Sequence, residues 1–223
     1  MTIQSEPAGP DPRGRAHVSP IGLRERKKAK KLHRILEAAT QLFAERGYDH
    51  VTTQQIADAA EVGTGTLFRY VGSKSELLVM VMNDRLRLGT EEGLRLARRG
   101  AAPSEAIVAM LAPLATESAA HPENTAVYQR ETLFGSGPHR DLATERISQI
   151  EDAIHAVLQL HADQQGRPPT ADLADVAHVI YAAVYMDFVR VGVGRTSIAD
   201  LPERIRHSIE FLIEHLVTTP QPS

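Results

Sequence analysis

The stretch that decides the fold is Thr52-Thr53-Gln54-Gln55-Ile56-Ala57-Asp58-Ala59-Ala60-Glu61-Val62-Gly63-Thr64-Gly65-Thr66-Leu67-Phe68-Arg69-Tyr70. Thr52 with Gln55 three residues on is a capping box, and it opens a very short helix, Thr53 to Ala60, whose apolar side is Ile56, Ala57 and Ala60. After Glu61 and Val62, a second short helical run from Thr64 to Val71 buries Leu67 and Val71. Two helices of about two turns each hide too little apolar area to stand alone, so a third must cover them. Leu32, Ile35, Leu36, Ala39, Leu42 and Phe43 supply it as one stripe of a preceding helix, and Gly47 sits where a C′ glycine would stop that helix. The arrangement predicted is a helix-turn-helix.

Charge says what such a unit would meet. The net charge of −3 is unevenly divided: residues 1–74 hold 12 Lys+Arg against 8 Asp+Glu, and the rest of the chain is acidic. The densest run is Arg24, Arg26, Lys27, Lys28, Lys30, Lys31 and Arg34, opposed by Glu25. A basic front quarter on an acidic whole implies a polyanion partner for that segment alone. In a helix-turn-helix the second short helix enters the DNA major groove with its N-terminal residues at the base edges. Thr64 and Thr66 then offer short hydroxyls, Gly65 permits close backbone approach, and Phe68, Arg69 and Tyr70 reach bases or phosphates. Thr53 and Gln54 stand at a helix N-terminus whose free N–H groups suit a phosphate, and Lys74 is placed as a point charge near the start of a fourth helix.

From about Lys28 to Met82 the pattern Ile35-x-x-Ala38-Ala39-x-x-Leu42-Phe43-x-x-x-Gly47-Tyr48, Thr52-Thr53-x-x-Ile56-Ala57-x-x-Ala60, Val62, Gly65-Thr66-Leu67-Phe68-x-Tyr70 and Ser73-Lys74-x-x-Leu77-Leu78 resembles the N-terminal domain of the TetR family of transcriptional regulators. The resemblance covers a quarter of the chain. It implies DNA contacts at Thr53, Thr64, Gly65, Thr66, Phe68, Tyr70 and Lys74, a homodimer formed through the last two long helices, a small-molecule effector in the C-terminal body, and repression. The chain departs from the family's Ala-Gly-Val-Ser turn with Ala60-Glu61-Val62-Gly63. A left-handed Glu61 would cost about 1 kcal/mol relative to glycine, and Gly63 removes a capping hydroxyl.

The remaining chain is helical by the same periodicity. Ser73 and Glu76 form a second capping box that starts a long helix four, running toward Arg98 and linking the two parts. Pro103 suits the first turn of helix five, and Pro113 inside it predicts a kink or an end. Helices six and seven are expected over Glu123–Phe134 and Asp141–Gln164, helix eight after a Thr170 cap, and helix nine after Asp200 and Glu203. The expected fold is all-α with about nine helices: a disordered arm over 1–22, a helix-turn-helix domain over 23–82, a ligand-binding and dimerisation bundle over 83–218, and a tail over 219–223. Room beside the Pro113 kink places an effector pocket among Met110, Leu111, Tyr128, Glu131, Phe134, Tyr181, Tyr185 and Met186. Excess apolar surface on the last two helices places the dimer interface at Val184, Phe188, Ile209 and Ile213.

Composition excludes other chemistries. With no Cys, the chain has no disulfide, no Cys-ligated zinc and no Cys nucleophile. The 10 His include pairs on one helix face, Asp175 with His178 and Glu117 with His121, but no triad of metal-ligand spacing, so neither a metal nor a cofactor is expected. Gly72-Ser73-Lys74-Ser75 lacks a phosphate loop's first glycine, because Leu67 occupies its place, and Gly192-x-Gly194 lacks a preceding strand. No apolar run reaches a membrane span, and the first twenty residues carry four prolines where a signal peptide needs an apolar core, so a cytoplasmic protein is expected. The expected function is a ligand-responsive regulator that binds a palindromic operator and has no catalytic residues. The alternatives are a helical-bundle enzyme, which turnover would reveal, and a DNA-binding protein whose C-terminal part only assembles or recruits partners.

Overall fold

Capping chemistry sets the element boundaries. In the computed structural model, which describes residues 20–136, 138–166 and 169–218, Thr52 accepts from the Gln55 backbone N–H while the Gln55 side chain accepts from that of Thr52. This reciprocal box opens α2 (Thr53–Ala59). It follows α1 (Pro20–Arg46), which ends at Gly47 with φ +74°, and precedes the single turn of α3 (Thr64–Leu67). Ser73 caps α4 (Lys74–Arg98) through the Glu76 N–H, but the Glu76 carboxylate reaches back to the Gly72 N–H, one residue earlier than a full box requires. Then come α5 (Pro103–Ala120), α6 (Pro122–Phe134), α7 (Pro138–Gln165), α8 (Leu173–Gly192) and α9 (Leu201–Ile213), which continues through one π-helical turn to Thr218. Among the described residues there are nine α-helices and no strand.

Some expected boundaries move. α1 begins at Pro20, inside the span expected as an arm; residues 1–19 and the expected tail at 219–223 lie outside the described residues. Asp172, not Thr170, caps α8 through the Ala174 N–H, because the Thr170 hydroxyl donates instead to the Leu216 carbonyl (2.9 Å) at the end of the chain's last helix. Ser197 caps a short 3-10 turn ahead of α9, and Asp200 makes no side-chain cap.

α4 is the spine. Its 25 residues span about 37 Å at 1.5 Å per residue, and it packs against α1, α5, α6 and α7. Leu77, Leu78 and Val81 near its start share a core with Ile35, Phe43, Ile56 and Leu67, and Met82 and Leu86 continue that core toward the body. Pro113 does not end α5: the helix runs from Pro103 to Ala120 with the proline inside it. Its ring lies against Gly89 of α4, where an added Cβ would stand 2.9 Å from the ring and 2.4 Å from the Met110 carbonyl oxygen. Gly93, one turn on, is equally close: a Cβ there would meet the Ala106 carbonyl oxygen at 2.5 Å. Two glycines four residues apart thus let the α5 backbone lie directly on α4.

The expected interface residues are also corrected. Val184, Phe188, Ile209 and Ile213 are all buried within the single chain. Their stripe covers the side of α8 and α9 that faces the chain's own core, and an apolar stripe alone does not say whose core it joins. The two helices are further stapled by buried Asp187, whose Oδ1 accepts from Arg204 Nε (3.1 Å) and Nη2 (3.0 Å) and whose Oδ2 accepts from Ser208 Oγ (3.2 Å). Large apolar side chains on the outer faces are Val179, Met186, Val193 and Phe211.

Gly93→Ala should lower unfolding stability by about 1–3 kcal/mol, because a methyl group against backbone forces α4 from α5. Gly192→Ala, at a position with nothing within 4 Å of the new Cβ, should cost nothing measurable. Denaturant unfolding of the two variants beside the parent chain checks the contrast.

Candidate nucleic-acid interface and effector cavity

The turn between α2 and α3 adopts the left-handed conformation at a non-glycine: Glu61 has φ +51°. Arg34 of α1 compensates. Its Nη2 donates to the Ala60 and Glu61 carbonyls and to Glu61 Oε2 (2.7 Å), so one guanidinium ties the turn to the helix behind it. Gly63 caps α3 by backbone conformation only, without a side-chain hydrogen bond. The Thr64 hydroxyl is turned to Gln54, donating to its Oε1 (2.5 Å), while Gln54 Nε2 donates to Asp58. α2 and α3 are thereby bridged at the end the sequence marks for phosphate and base contact.

Outward of this bridge, Gly65 is exposed with open space around it, Phe68 and Arg69 are exposed, and Tyr70 and Thr53 are half-buried. Arg69 Nη2 donates to the half-buried Thr66 hydroxyl (3.3 Å). α3 is shorter than expected, one turn to Leu67, so Phe68 to Tyr70 continue as hydrogen-bonded turns. The six basic residues Arg24, Arg26, Lys27, Lys28, Lys30 and Lys31 belong to the opening turns of α1, and all are exposed. They divide by helical face: Arg24, Lys27, Lys28 and Lys31 line a groove of about 460 Å³ together with Arg69 and Tyr70, while Arg26 and Lys30 point away from it. Four cations at i, i+3, i+4 and i+7 therefore flank the recognition turn.

Lys74 is where the sequence reading fails. Its ammonium does not stand free for a phosphate: it donates to the Tyr48 carbonyl (2.8 Å) and the Val51 carbonyl (2.9 Å), and it lies 3.9 Å from the centroid of the Tyr48 ring. Partial burial pulls its pKa below the usual lysine value, with Asp49 opposing, and burial likewise raises that of the Tyr48 phenol. Lys74 closes the α1–α2 loop; it acts on the interface by shaping it.

A second contact set, unforeseen in the sequence, ties this unit to the body. Asn124, fully buried at the start of α6, accepts from the Tyr48 N–H (2.5 Å) and donates to the Phe43 carbonyl (3.1 Å) and to Glu117. His121 Nε2 donates to the Ala44 carbonyl (3.0 Å). Buried Glu117 pairs with Arg85 of α4, which also reaches the Thr40 carbonyl (3.4 Å). Gly47 permits the approach, since a Cβ there would collide with the side chains of Glu123 and His121. Glu117 and His121, paired on one helix face in the sequence, are thus spent on structure with other partners, and His178 pairs with Glu151 (2.9 Å).

In the body, the expected pocket residues separate. Leu111, Tyr128, Tyr181 and Tyr185 line one enclosed, mostly apolar cavity with Gln129 and Phe188, and its volume of about 30 Å³ is one water molecule's share. Met110 is buried but packs on Gly93; Glu131 is half-buried outside the lining; Phe134, 80% exposed, and Met186, 53% exposed, face solvent. Tyr128 donates to Asn83 Oδ1 (2.8 Å), and burial drives the Tyr128 and Tyr181 phenols well above the ordinary range. A larger open groove of about 610 Å³ between α5 and α9 offers only Thr116 as a polar lining side chain, so it has little with which to orient a ligand.

The three-helix unit, its basic groove and the helical body on α4 define a helix-turn-helix DNA-binding protein of the bacterial-regulator class. Residues 35–81 match the model for bacterial regulatory proteins of the tetR family. The chain is similar to the transcriptional repressor KstR of Mycobacterium tuberculosis, 28% identical over 190 residues covering 85% of this chain and 81% of that protein. It is also similar to the regulator HbdR of Aromatoleum sp. strain CIB, 43% identical over 54 residues, 24% of each. In fold it matches Thermus thermophilus FadR, a TetR-family repressor solved with lauroyl-CoA, at TM-score 0.65 and 24% identity over 86% of this chain and 97% of that one. Bacillus subtilis FadR, solved with stearoyl-CoA, matches at TM-score 0.61 and 17% identity over 83% and 99%. Residues 35–81 thus carry the DNA-binding domain of the tetR family, and the rest of the chain is similar in sequence to KstR and in fold to the FadR proteins.

The two kinds of lysine should separate in a salt titration of DNA binding. Lys28→Ala, removing one groove cation, should flatten the log–log salt dependence by about 0.9. Lys74→Ala should leave that slope unchanged while lowering the melting temperature, because it opens the loop and removes no phosphate contact.

Proposed function

We propose that the chain is a ligand-released repressor that binds a palindromic DNA operator as a homodimer. The observation that carries this reading is the groove that sets Arg24, Lys27, Lys28 and Lys31 beside Arg69 and Tyr70. The basic face positions the protein on the backbone, and Thr64, Gly65, Thr66 and Phe68 read base edges. Thr53 and Gln54 serve the phosphate at the α2 N-terminus. Repression is supported by the repressors among the relatives. The same relatives are regulators, and we infer that the chain is not an enzyme. Among the described residues no helix is long and apolar enough to cross a membrane, and no three His, Asp or Glu converge as a metal site. A regulator of this kind works in the cytoplasm, where its DNA is.

One α3 turn offers too few contacts for tight specific binding, and a two-fold dimer doubles them across half-sites about 34–36 Å apart. The outer faces of α8 and α9 supply the pairing surface through Val179, Met186, Val193 and Phe211, whose ring stacks on His215 at 4.2 Å. The effector site is the cavity at Leu111, Tyr128, Tyr181 and Tyr185, a reading supported by the ligand-bound fold neighbours. Ligand would act on DNA affinity through both α4 and the α6 contacts on α1, and a coupling of about 1–3 kcal/mol corresponds to roughly 5–150-fold.

Selection of bound duplexes from a random pool should return inverted repeats. Single, unpaired half-sites would leave the dimer without a role. Met186→Glu with Phe211→Glu should yield folded monomers in sedimentation and lose operator affinity; a persistent dimer would place the interface elsewhere.

A further inference from the structure

Buried polar side-chain atoms in a folded chain are almost always hydrogen-bonded. Among the described residues three have no partner: Gln129 Nε2, Arg146 Nε and Tyr185 Oη. Two of them, on α6 and α8, meet at one place. Gln129 and Tyr185 line the cavity, whereas Arg146, on α7, lines a separate groove with Leu36, Met80 and Asn83. The other polar groups there are satisfied: the Tyr128 hydroxyl donates to Asn83, and the Thr132 hydroxyl donates to the Tyr128 carbonyl (2.8 Å). The rest of the wall is aliphatic or aromatic, Leu86, Leu114, Ile150 and Phe188 included.

The unmatched atoms have one chemical sense. An amide –NH₂ can only donate, and a phenol with no partner donates readily. Leaving such donors dry is costly, whereas an acceptor oxygen supplied from outside satisfies them together. We propose that the cavity recognises a compact apolar molecule through a hydrogen-bond-accepting oxygen, a carbonyl or carboxylate, held by Tyr185 Oη and Gln129 Nε2, with its apolar body spreading among the aliphatic wall. The proposal rests on the reading of this cavity as the effector site and adds the chemistry of what enters it. An acceptor on a bare hydrocarbon is selected over a donor because the site's orphaned groups already donate. The cavity must widen to admit more than a water, and Gln129 and Tyr185, both only half-buried as residues, stand on its yielding side.

The chain reports on this site itself. It has five tyrosines and no tryptophan, and Tyr128, Tyr181 and Tyr185 line the cavity, so tyrosine emission reads occupancy. Three eight-carbon probes differ only in the head: octanoate, 2-octanone and octylammonium. Titrated into the full chain, octanoate and 2-octanone should change the emission and raise the melting temperature, and octylammonium should bind at least tenfold more weakly. Tyr185→Phe and Gln129→Leu should each weaken the two acceptor probes about three- to tenfold and leave octylammonium unchanged. Both variants remove an unpartnered buried atom, so neither should lower the stability of the unliganded chain. Equal binding of all three probes, untouched by either variant, would overturn acceptor recognition while leaving the cavity as an effector site. Binding of none, with emission unchanged to millimolar concentration, would mean a space for water only and would overturn the effector-site reading as well.

Discussion

The last turn of α1 carries carbonyl groups that no further helical turn can satisfy, and how they are satisfied decides how the molecule behaves as one object. Gly47 N–H returns to the Phe43 carbonyl, an ordinary helix-stop contact. Donors from outside the three-helix unit reach the same end of the helix: His121 serves the Ala44 carbonyl, Asn124 adds a second donor at Phe43, and Arg85 reaches the Thr40 carbonyl a turn earlier. Side-chain bonds of this kind contribute about 1 kcal/mol each, and about 1.5–3 kcal/mol where the donor is charged, as at Arg85. Their greater effect is geometric, because α1 presents the basic groove at one end and these carbonyls at the other. The DNA-facing unit is therefore referenced to the body at two places, along α4 and at the α5–α6 corner.

The same economy of contacts governs the recognition turn. α2 and α3 together offer Ile56, Ala57, Ala60 and Leu67 to the core, too little to fix a turn by packing alone. A glycine at position 61 would make the left-handed step without strain. With glutamate there, the chain stabilises the step by a guanidinium from the helix behind, and Arg34 is consequently not among the cations of the basic groove although it closes the basic run in sequence. Lys74 follows the same logic on the other loop. Both cations look like DNA ligands in one dimension and serve as loop fasteners in three.

What was legible in the sequence was local. Capping pairs, stop glycines and a 3.6-residue stripe act within a few residues of themselves, so the order of helices and the helix-turn-helix could be read directly. Sidedness was not. α8 is apolar over more than one face, and periodicity cannot tell the face that meets α7 and α9 from the face left outside; Val184 and Phe188 line the cavity instead of an outer face, and Met186 is exposed instead of lining it. Long-range polar pairing was equally silent: Asn124 meets the Phe43 carbonyl eighty-one positions away, and nothing around Asn124 marks it. Gly47 held a partial signal, since one glycine serves both the left-handed stop and the close approach of α6. Pro113 reads in sequence as a source of space, whereas Gly89 on the facing helix takes its ring and Gly93, one turn on, takes the Met110 side chain.

These constraints meet in α6. Its N-terminal turn holds α1 through Asn124, and its next turn places Tyr128 and Gln129 in the cavity wall. A cavity of about 30 Å³ has no room for an eight-carbon body, so a bound molecule must part α6 from α7 and α8. α4 is a poor candidate to yield alone, because Gly89 and Gly93 bring it against the α5 backbone with no side chain between to rearrange. α6 is thirteen residues long, and its N-terminal turn is held to α1 by side-chain contacts. Displacing its middle must either pivot the helix on Asn124, which drags the end of α1, or break the Asn124 contacts, which frees α1 to turn about α4. Both outcomes move the basic groove relative to the body. In a dimer held by α8 and α9, either would alter the spacing of the two recognition turns, and that spacing is the quantity an operator measures.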